Sequence, residues 1–392
     1  MAYTVNRLRH LRACLLAAGS GDKRIGGKPA NGVGAFRFLH KSIGLKDNEP
    51  VPDGLGVRRS HLVECERPVE RRYRRFLIVG GAGFIGSHFV HALLSDHSIL
   101  QVTIFDNFSS GREWHYEGDA HDNRLKVVVG DVSDIQALCG AMDGHDAVIH
   151  LASNPDIARA ATEPEIDFYQ GTLLTNNVLE AMRRTGAERL LYASGSGVYG
   201  DLGDTEADED FGPLIPVSTY GASKLAGEAL ISSYCHMFGL TACAFRFGNV
   251  VGPRQTHGVG YDFIRRLIAD PTQLQILGNG EQSKSYIHVS DVISAVLLAN
   301  ELSRPKFQVF NVATGDYITV REIADLAVEV LKLERAPVYR FTGGDRGWKG
   351  DVPVVRLNTN RIKGLGWRCK HDTRTALQHS LQSLASDERT RG

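Results

Sequence analysis

The sequence predicts an α/β protein built on a parallel sheet with helices on both faces. Three observations carry this. From Phe76 onward, near-continuous apolar runs of strand length alternate with helical stretches, as in sheets buried on both sides. A glycine-rich turn joins the first run to the first helix. The chain has 392 residues, 42% of them hydrophobic, enough for one large domain or two ordinary ones with a real core.

The elements follow in order. "FLIVG" (76–80) reads as the first strand, and "SHFVHALLSD" (87–96) as the helix after the glycines. "VTIFD" (102–106), "LKVVVGD" (125–131), "AVIHLAS" (147–153) and "RLLYAS" (189–194) read as strands two to five. "IQALCGAM" (135–142) and "TNNVLEAMRRTG" (175–186) are helices between them. "TACAFRFGNV" (241–250) and "FQVFNVAT" (307–314) supply later strands of the same sheet.

Residues 1–74 differ. They carry an excess of Arg and Lys, end in "RPVERRYRR" and show no sustained period. They are expected to be a poorly ordered extension, with a targeting or anion-binding arm as the alternative. The formal net charge is zero, which gives no electrostatic reason to expect nucleic acid. No apolar run approaches the ~20 residues needed to span a bilayer, so no membrane partner is expected. The six cysteines, Cys14, Cys65, Cys139, Cys235, Cys243 and Cys369, are scattered, so neither a metal site nor a disulfide framework is expected, and the reduced thiols point to the cytoplasm.

Chemistry concentrates at two places. "GGAGFIGS" spaces Gly80, Gly83 and Gly86 three apart, between a strand and a helix. There the free backbone N–H groups and helix dipole favour a pyrophosphate. Gly80 permits the tight turn, Gly83 lets the backbone approach phosphate, and Gly86 lets helix pack on sheet. Asp106 ends the second strand, where a carboxylate can accept both ribose hydroxyls and repel a 2′-phosphate, which favours NAD over NADP. A turn or cap role is its alternative. Asp131 ends the third strand, where it could contact adenine or serve as a cap.

The second place is "STYGASKLAGEAL". Tyr220 and Lys224 stand four apart, on one face of a helix. Free tyrosine titrates near ~10, and bringing it to ~7 takes about 4 kcal/mol. A neighbouring ammonium gives ~1–3 units of that shift. An oxidised nicotinamide would add to it.

Together these residues resemble the extended short-chain dehydrogenase/reductase family, in its NAD-dependent nucleotide-sugar epimerase/dehydratase branch, with a UDP-galactose 4-epimerase-like pattern. The resemblance runs from about Phe76 to about Gln382 through "GGAGFIGSH", "DNFSSG", "GDVSD", "HLAS", "SGSGVYG", "YGASK", "FRFGNVVGPRQ", "YIHVSDV" and "KGLGWR". It implies a Rossmann-type doubly wound parallel sheet with a smaller C-terminal substrate-binding domain. The NAD-binding part would cover 75–250 plus later elements at about 286–313, and 251–386 would be mainly substrate-binding, followed by a tail at 387–392. It implies tightly held NAD and a nucleotide-sugar substrate. Tyr220 would deprotonate a sugar hydroxyl, and Lys224 would bind the nicotinamide ribose and lower the tyrosine pKa. Phe84, Ile85, Asn107, Val132, Leu151 and Ala152 would contact the cofactor. Asn249, Lys284 and Arg346 would meet the substrate diphosphate. A homodimer through a four-helix bundle would use "TNNVLEAMRR" and "KLAGEALISSYC".

Several positions depart from the family pattern. Lys284 stands for an arginine and keeps the charge without the bidentate fork. Trp348 replaces a second arginine, for which Arg346 can compensate. Gly171 falls where an asparagine is usual, and Gly248 fills a slot that is often bulkier. In "YASGSGVYGD" the family's catalytic serine or threonine falls on Gly195, so Ser194 or Ser196 must move in, with Ser194 preferred at the strand's end. Ser196 and Gly197 also occupy the slots that hold an acidic pair in 4,6-dehydratases. Without that pair β-elimination lacks its proton donor, which argues for epimerisation, at the sugar 4-position by analogy. A dehydratase or reductase of the same family, and an NAD-binding regulatory protein without turnover, are the alternatives. Tyr199 and His150 are read as structural. The "TEADED" run (205–210) is read as a solvated loop at the substrate opening.

Overall fold

The computed structural model describes residues 73–387. The expected N-terminal extension therefore lies outside the described residues except at its end, where Tyr73 is buried and the Arg74 amide donates to Asp146 at 2.8 Å. The tail beyond residue 387 lies outside them as well.

Seven strands form one sheet: β1 (Arg75–Val79), β2 (Gln101–Asp106), β3 (Leu125–Val129), β4 (Ala147–His150), β5 (Arg189–Gly195), β6 (Thr241–Phe247) and β7 (Phe307–Val312). Their order is β7-β6-β5-β4-β1-β2-β3 and every pairing is parallel. The order reverses between β1 and β4, so a crevice opens beyond their carboxyl ends, where open α/β sheets bind ligands. All seven strands match the runs expected from sequence.

Alternation explains why the runs are continuous. In β1, Phe76 and Ile78 enter one core while Leu77 and Val79 enter the other. The first core lies under α1 (Phe84–Leu94) and α6 (Val289–Leu302). The second lies under α2 (Ile135–Met142), α3 (Leu174–Thr185) and α4 (Thr219–Phe238). β3 departs furthest from two-sided burial: it is one of the two sheet edges, with Val127 41% and Val129 73% exposed. An edge strand and a central one read alike in β-branched residues, since the sequence does not say which has two neighbours.

A separate core gathers around α5 (Val259–Ala269), α7 (Val320–Leu331) and α8 (Thr373–Ser386), with Phe263, Leu274, Ile323 and Leu377 at its centre. The chain returns to the sheet through Tyr286–His288, which pairs in parallel with Asn249–Val251 just past β6, and then through α6 into β7. At this return His288 caps α6 by accepting from the Ser290 amide at 3.2 Å. Its ring lies 4.7 Å from that of His371 and 6.1 Å from that of His379. His371 Nδ1 is 2.7 Å from Asp291, which is fully buried.

Among the described residues, burial favours the neutral form of six histidines, His88, His115, His145, His150, His257 and His288. It lowers His288 and His88 to about 4 and His150 to about 3. Such groups stabilise the fold fully above the unfolded value of about 6.5 and lose that contribution as pH falls toward the folded one. Equilibrium denaturation is therefore expected to show stability flat above pH ~6.5, then falling by on the order of 1 kcal/mol per histidine per pH unit down to pH ~5. A flat profile across that window would contradict the assignment.

Candidate functional site

The nucleotide end is made of backbone. Gly80 sits at φ +83°, and a β-carbon on it would meet the Ala152 amide at 2.7 Å. A β-carbon on Gly86 would meet the Gly80 carbonyl at 2.5 Å. Both glycines are therefore required by contact, and the loop folds tightly onto the end of β4, where the Leu151 and Ala152 amides share the Val79 carbonyl. Helix α1 begins at Gly83 with no side-chain cap, so the first-turn amides around Phe84 and Ile85 remain available to an anion. This cradle fits a dinucleotide pyrophosphate.

Asp106 is buried, and its carboxylate accepts from the Ala82 amide at 2.9 Å and the Phe108 amide at 2.8 Å. The turn role is thus present, and any ribose contact must share those oxygens. Burial raises its pKa. Asn107 donates to Asp131 at 2.7 Å, joining the exposed ends of β2 and β3. Asp131 also accepts from the Ser133 hydroxyl and amide, which hold its pKa low, and its neighbour Val132 is buried.

Helix α4 starts at the Ser218 cap, which accepts from the Gly221 amide at 3.1 Å. It brings Tyr220 and Lys224 to one face, with the ammonium 5.4 Å from the Tyr220 ring centre. Lys224 is 3% exposed and donates to the Ala193 carbonyl at 2.9 Å. Burial pulls its pKa down to about 8 and pushes Tyr220 up to about 12. Lysine was expected to lower the tyrosine pKa, but in the protein alone desolvation dominates and the resting phenol is protonated.

The preference for Ser194 is corrected. Its hydroxyl donates to Glu228 at 2.6 Å inside the protein, and Glu228 in turn takes both Arg246 Nε at 3.0 Å and Nη2 at 2.7 Å. Strand alternation turns Ser194 toward α4 and away from the opening. A β-carbon on Gly195 would meet nothing within 4 Å, so the family's hydroxyl position is open space. Ser196 begins a tight turn and lines a small pocket with Tyr199, Leu202, Thr205 and Val355. Tyr199 is structural, as expected, its hydroxyl lying 2.8 Å from Asn311 and its ring 4.7 Å from the Arg246 guanidinium. His150 is structural too, with Nε2 3.2 Å from Thr175. Within "TEADED" the solvated reading fails at Glu209, which is buried and accepts from the Asn311 amide at 2.8 Å.

The expected diphosphate contacts are already partnered. Lys284 pairs with buried Asp351 at 2.5 Å, and Arg346 with Asp201 at 2.6 Å and with the Asp351 carbonyl. Asn249 is exposed, its side chain 3.4 Å from the Ser285 carbonyl. Gly171 is explained by packing: a β-carbon there would meet Ser223 Oγ at 2.7 Å.

Sequence reading missed Glu228 and Arg246, and also Asp167, which accepts from the Asn154 amide group at 2.9 Å and from the Thr219 hydroxyl at 2.6 Å. Glu228 was within reach, four residues beyond Lys224 on the same face. A lone arginine in the apolar run "TACAFRFG" also demands a buried carboxylate. Asp167 carries no local signal. Among the described residues, no helix is long and apolar enough to cross a membrane, and no group of His, Cys, Asp or Glu is arranged to hold a metal.

The family model described as "NAD dependent epimerase/dehydratase family" matches residues 76–313. A UDP-glucose 4-epimerase of Mycolicibacterium smegmatis is 32% identical over 303 residues, covering 75% of this chain and 93% of that protein. A solved UDP-galactose 4-epimerase is 36% identical with a TM-score of 0.70, covering 79% of this chain and 98% of that one. A dTDP-glucose 4,6-dehydratase double mutant from Streptomyces venezuelae, solved with NAD bound, is 25% identical with a TM-score of 0.74, covering 80% and 98%.

Removing one partner of the interior pair strands the other. Glu228→Ala is expected to cost about 3–5 kcal/mol in urea denaturation, and pairing Glu228→Met with Arg246→Leu to recover most of it. Equal losses in the single and double variants would show that the pair does not organise this region.

Proposed function

The chain belongs to the NAD dependent epimerase/dehydratase family, and on that premise we propose that it epimerises a nucleotide sugar by transient oxidation to a keto-sugar and re-reduction at one carbon, the 4-position. The observation that carries this reading over dehydration is the stretch before Tyr199. Ser196 and Gly197 offer no acid there, and a β-carbon on Gly197 would already rest 3.5 Å from Gly221. The carboxylates nearby are engaged, Glu228 by Arg246 and Asp201 by Arg346.

The glycine loop would hold the pyrophosphate, Asp106 and Asn107 the adenosine ribose, and Lys224 the nicotinamide ribose. NAD, held there, would supply the hydride acceptor for the oxidation and the hydride donor for the reduction. Tyr220 takes the proton of the sugar hydroxyl as the carbon is oxidised and gives it back on reduction. Starting from a phenol at about 12, that role needs cationic help, which Lys224 gives at 5.4 Å from the ring. Lys284, Arg346 and Asn249 would receive the diphosphate by exchanging their present partners.

The exposed apolar residues Phe168, Tyr169, Met237 and Phe238, beside or on α3 and α4, support a homodimer through those helices. Free thiols at Cys139, Cys235, Cys243 and Cys369 support a reducing, cytoplasmic setting.

Purified protein is expected to release NAD on denaturation. It should interconvert one hexose pair when UDP-, dTDP-, GDP-, CDP- and ADP-hexoses are followed by NMR. Tyr220→Phe should cut kcat by ~10²–10⁴-fold while NAD stays bound. A stable keto product would make the enzyme a dehydratase instead, and full activity in Tyr220→Phe would remove the base.

A further inference from the structure

The sequence has three tryptophans, and two are accounted for by their neighbours. Trp367 is 3% exposed and donates its indole N–H to Ser294 at 3.0 Å. Trp114 sets its ring edge-on to that of His115 at 4.1 Å. Trp348 is half-buried, and among the described residues its indole has no ring, cation or hydrogen-bond partner. An indole combines a large apolar face with one N–H donor, and such rings usually find partners for both.

The backbone that carries it is fixed. The Asp351 amide donates to the Trp348 carbonyl at 3.1 Å. The Asp351 carboxylate accepts from the Gly347 amide at 3.1 Å and from Lys284 at 2.5 Å. Arg346 donates to the Asp351 carbonyl and to Asp201 at 2.6 Å. Gly350 stands between the ring and α4. A β-carbon on it would meet Trp348 Cζ3 at 3.3 Å, Ser218 Cβ at 3.2 Å and the Val217 carbonyl at 3.4 Å. Gly350 also sits at φ +89°, so glycine is what lets the indole close on the start of α4. Ser218 is the cap of that helix, two residues before Tyr220.

Residues 346–351 thus set an indole between two cations and the helix that carries Tyr220. On the proposed reading, the substrate diphosphate meets those cations and the reacting carbon meets Tyr220. The hexose lies between a diphosphate and a reacting carbon, and the nucleoside lies beyond the diphosphate on its other side. We propose that Trp348 is the platform on which the hexose stacks, its indole face against the C–H face of the sugar ring. The proposal rests on the epimerase reading for its substrate class and adds the residue that holds the sugar. A ring face offers apolar contact with no donor or acceptor to match. It therefore holds a hexose with the 4-hydroxyl in either orientation, which a hydrogen bond to that hydroxyl would not.

The test is binding to purified holoenzyme, read as the tryptophan emission of the wild type minus that of Trp348→Phe. UDP-, dTDP-, GDP-, CDP- and ADP-glucose are each titrated beside the matching nucleoside diphosphate, with calorimetry reporting binding independently. The nucleotide hexose that binds is expected to change the Trp348 emission, and its nucleoside diphosphate to bind with little change. Trp348→Ala should raise KM for that hexose about tenfold with kcat within about twofold, as loss of a contact made equally in ground and transition states does. Trp348→Phe should stay within about threefold of the wild-type KM, and inhibition by the nucleoside diphosphate should hold in both variants. An equal emission change with the nucleoside diphosphate would put the base on the indole and overturn the proposal. Inhibition weakened in Trp348→Ala as much as KM is raised would mark a general loosening and overturn it as well. Should Trp348→Ala fail to fold, the emission comparison decides alone. Calorimetric binding of a hexose that leaves the emission unmoved overturns this proposal and leaves the epimerase reading standing. A changed emission without turnover supports the platform and counts against the epimerase reading.

Discussion

The interior ion pair between Glu228 and Arg246 is the constraint on which the catalytic half of the molecule depends. Both side chains are about 5% exposed or less. Charges so placed are costly unless their geometry is kept, so the pair tolerates little rotation or sliding of α4 against β6. Ser194 on β5 supplies a third anchor. Tyr220, Lys224 and Glu228 follow one another at intervals of four, on one helix face. Fixing the last in the interior fixes the other two at the opening. The lysine then finds the Ala193 carbonyl.

The two ends of the site are built from different materials. The nucleotide end is backbone and glycine, where a side chain would collide with main-chain atoms. The sugar end is side chains held by other side chains, whose identities can change without moving the sheet. That division explains why the glycine loop follows the family spacing while the sugar end departs from it at Gly195, Lys284 and Trp348.

The same division sets what was legible in sequence. The inner strands could be read because two-sided burial demands unbroken apolar runs, β3 because its valines form the same kind of run, and the glycines because spacing and context name them. Tyr220 and Lys224 were legible as a helix face. The exposure of β3 was not, because position in a sheet is set by the other strands. The capture of Ser194 was not, because the residue that takes it lies 34 positions away. Asp167 was invisible for a similar reason: its partners are 13 and 52 residues distant, and nothing in "EPEIDFYQG" marks it. The fold was therefore more legible than the hydrogen bonding that finishes the site.

The mouth of the cleft has a consequence for selection. Under the proposed diphosphate role, Lys284 and Arg346 would meet an arriving anion with Asp351 and Asp201 already in place, so the quartet is electrically neutral and exerts little pull beyond a Debye length. Entry is then a competition at contact. A monoanion offers the cations no more than the carboxylate it must displace. A diphosphate offers several oxygens to two cations at once. Of the two carboxylates, Asp351 is buried and fixed, while Asp201 is the more exposed and is placed to yield. On the proposed reading, selection at these two pairs would be by valence.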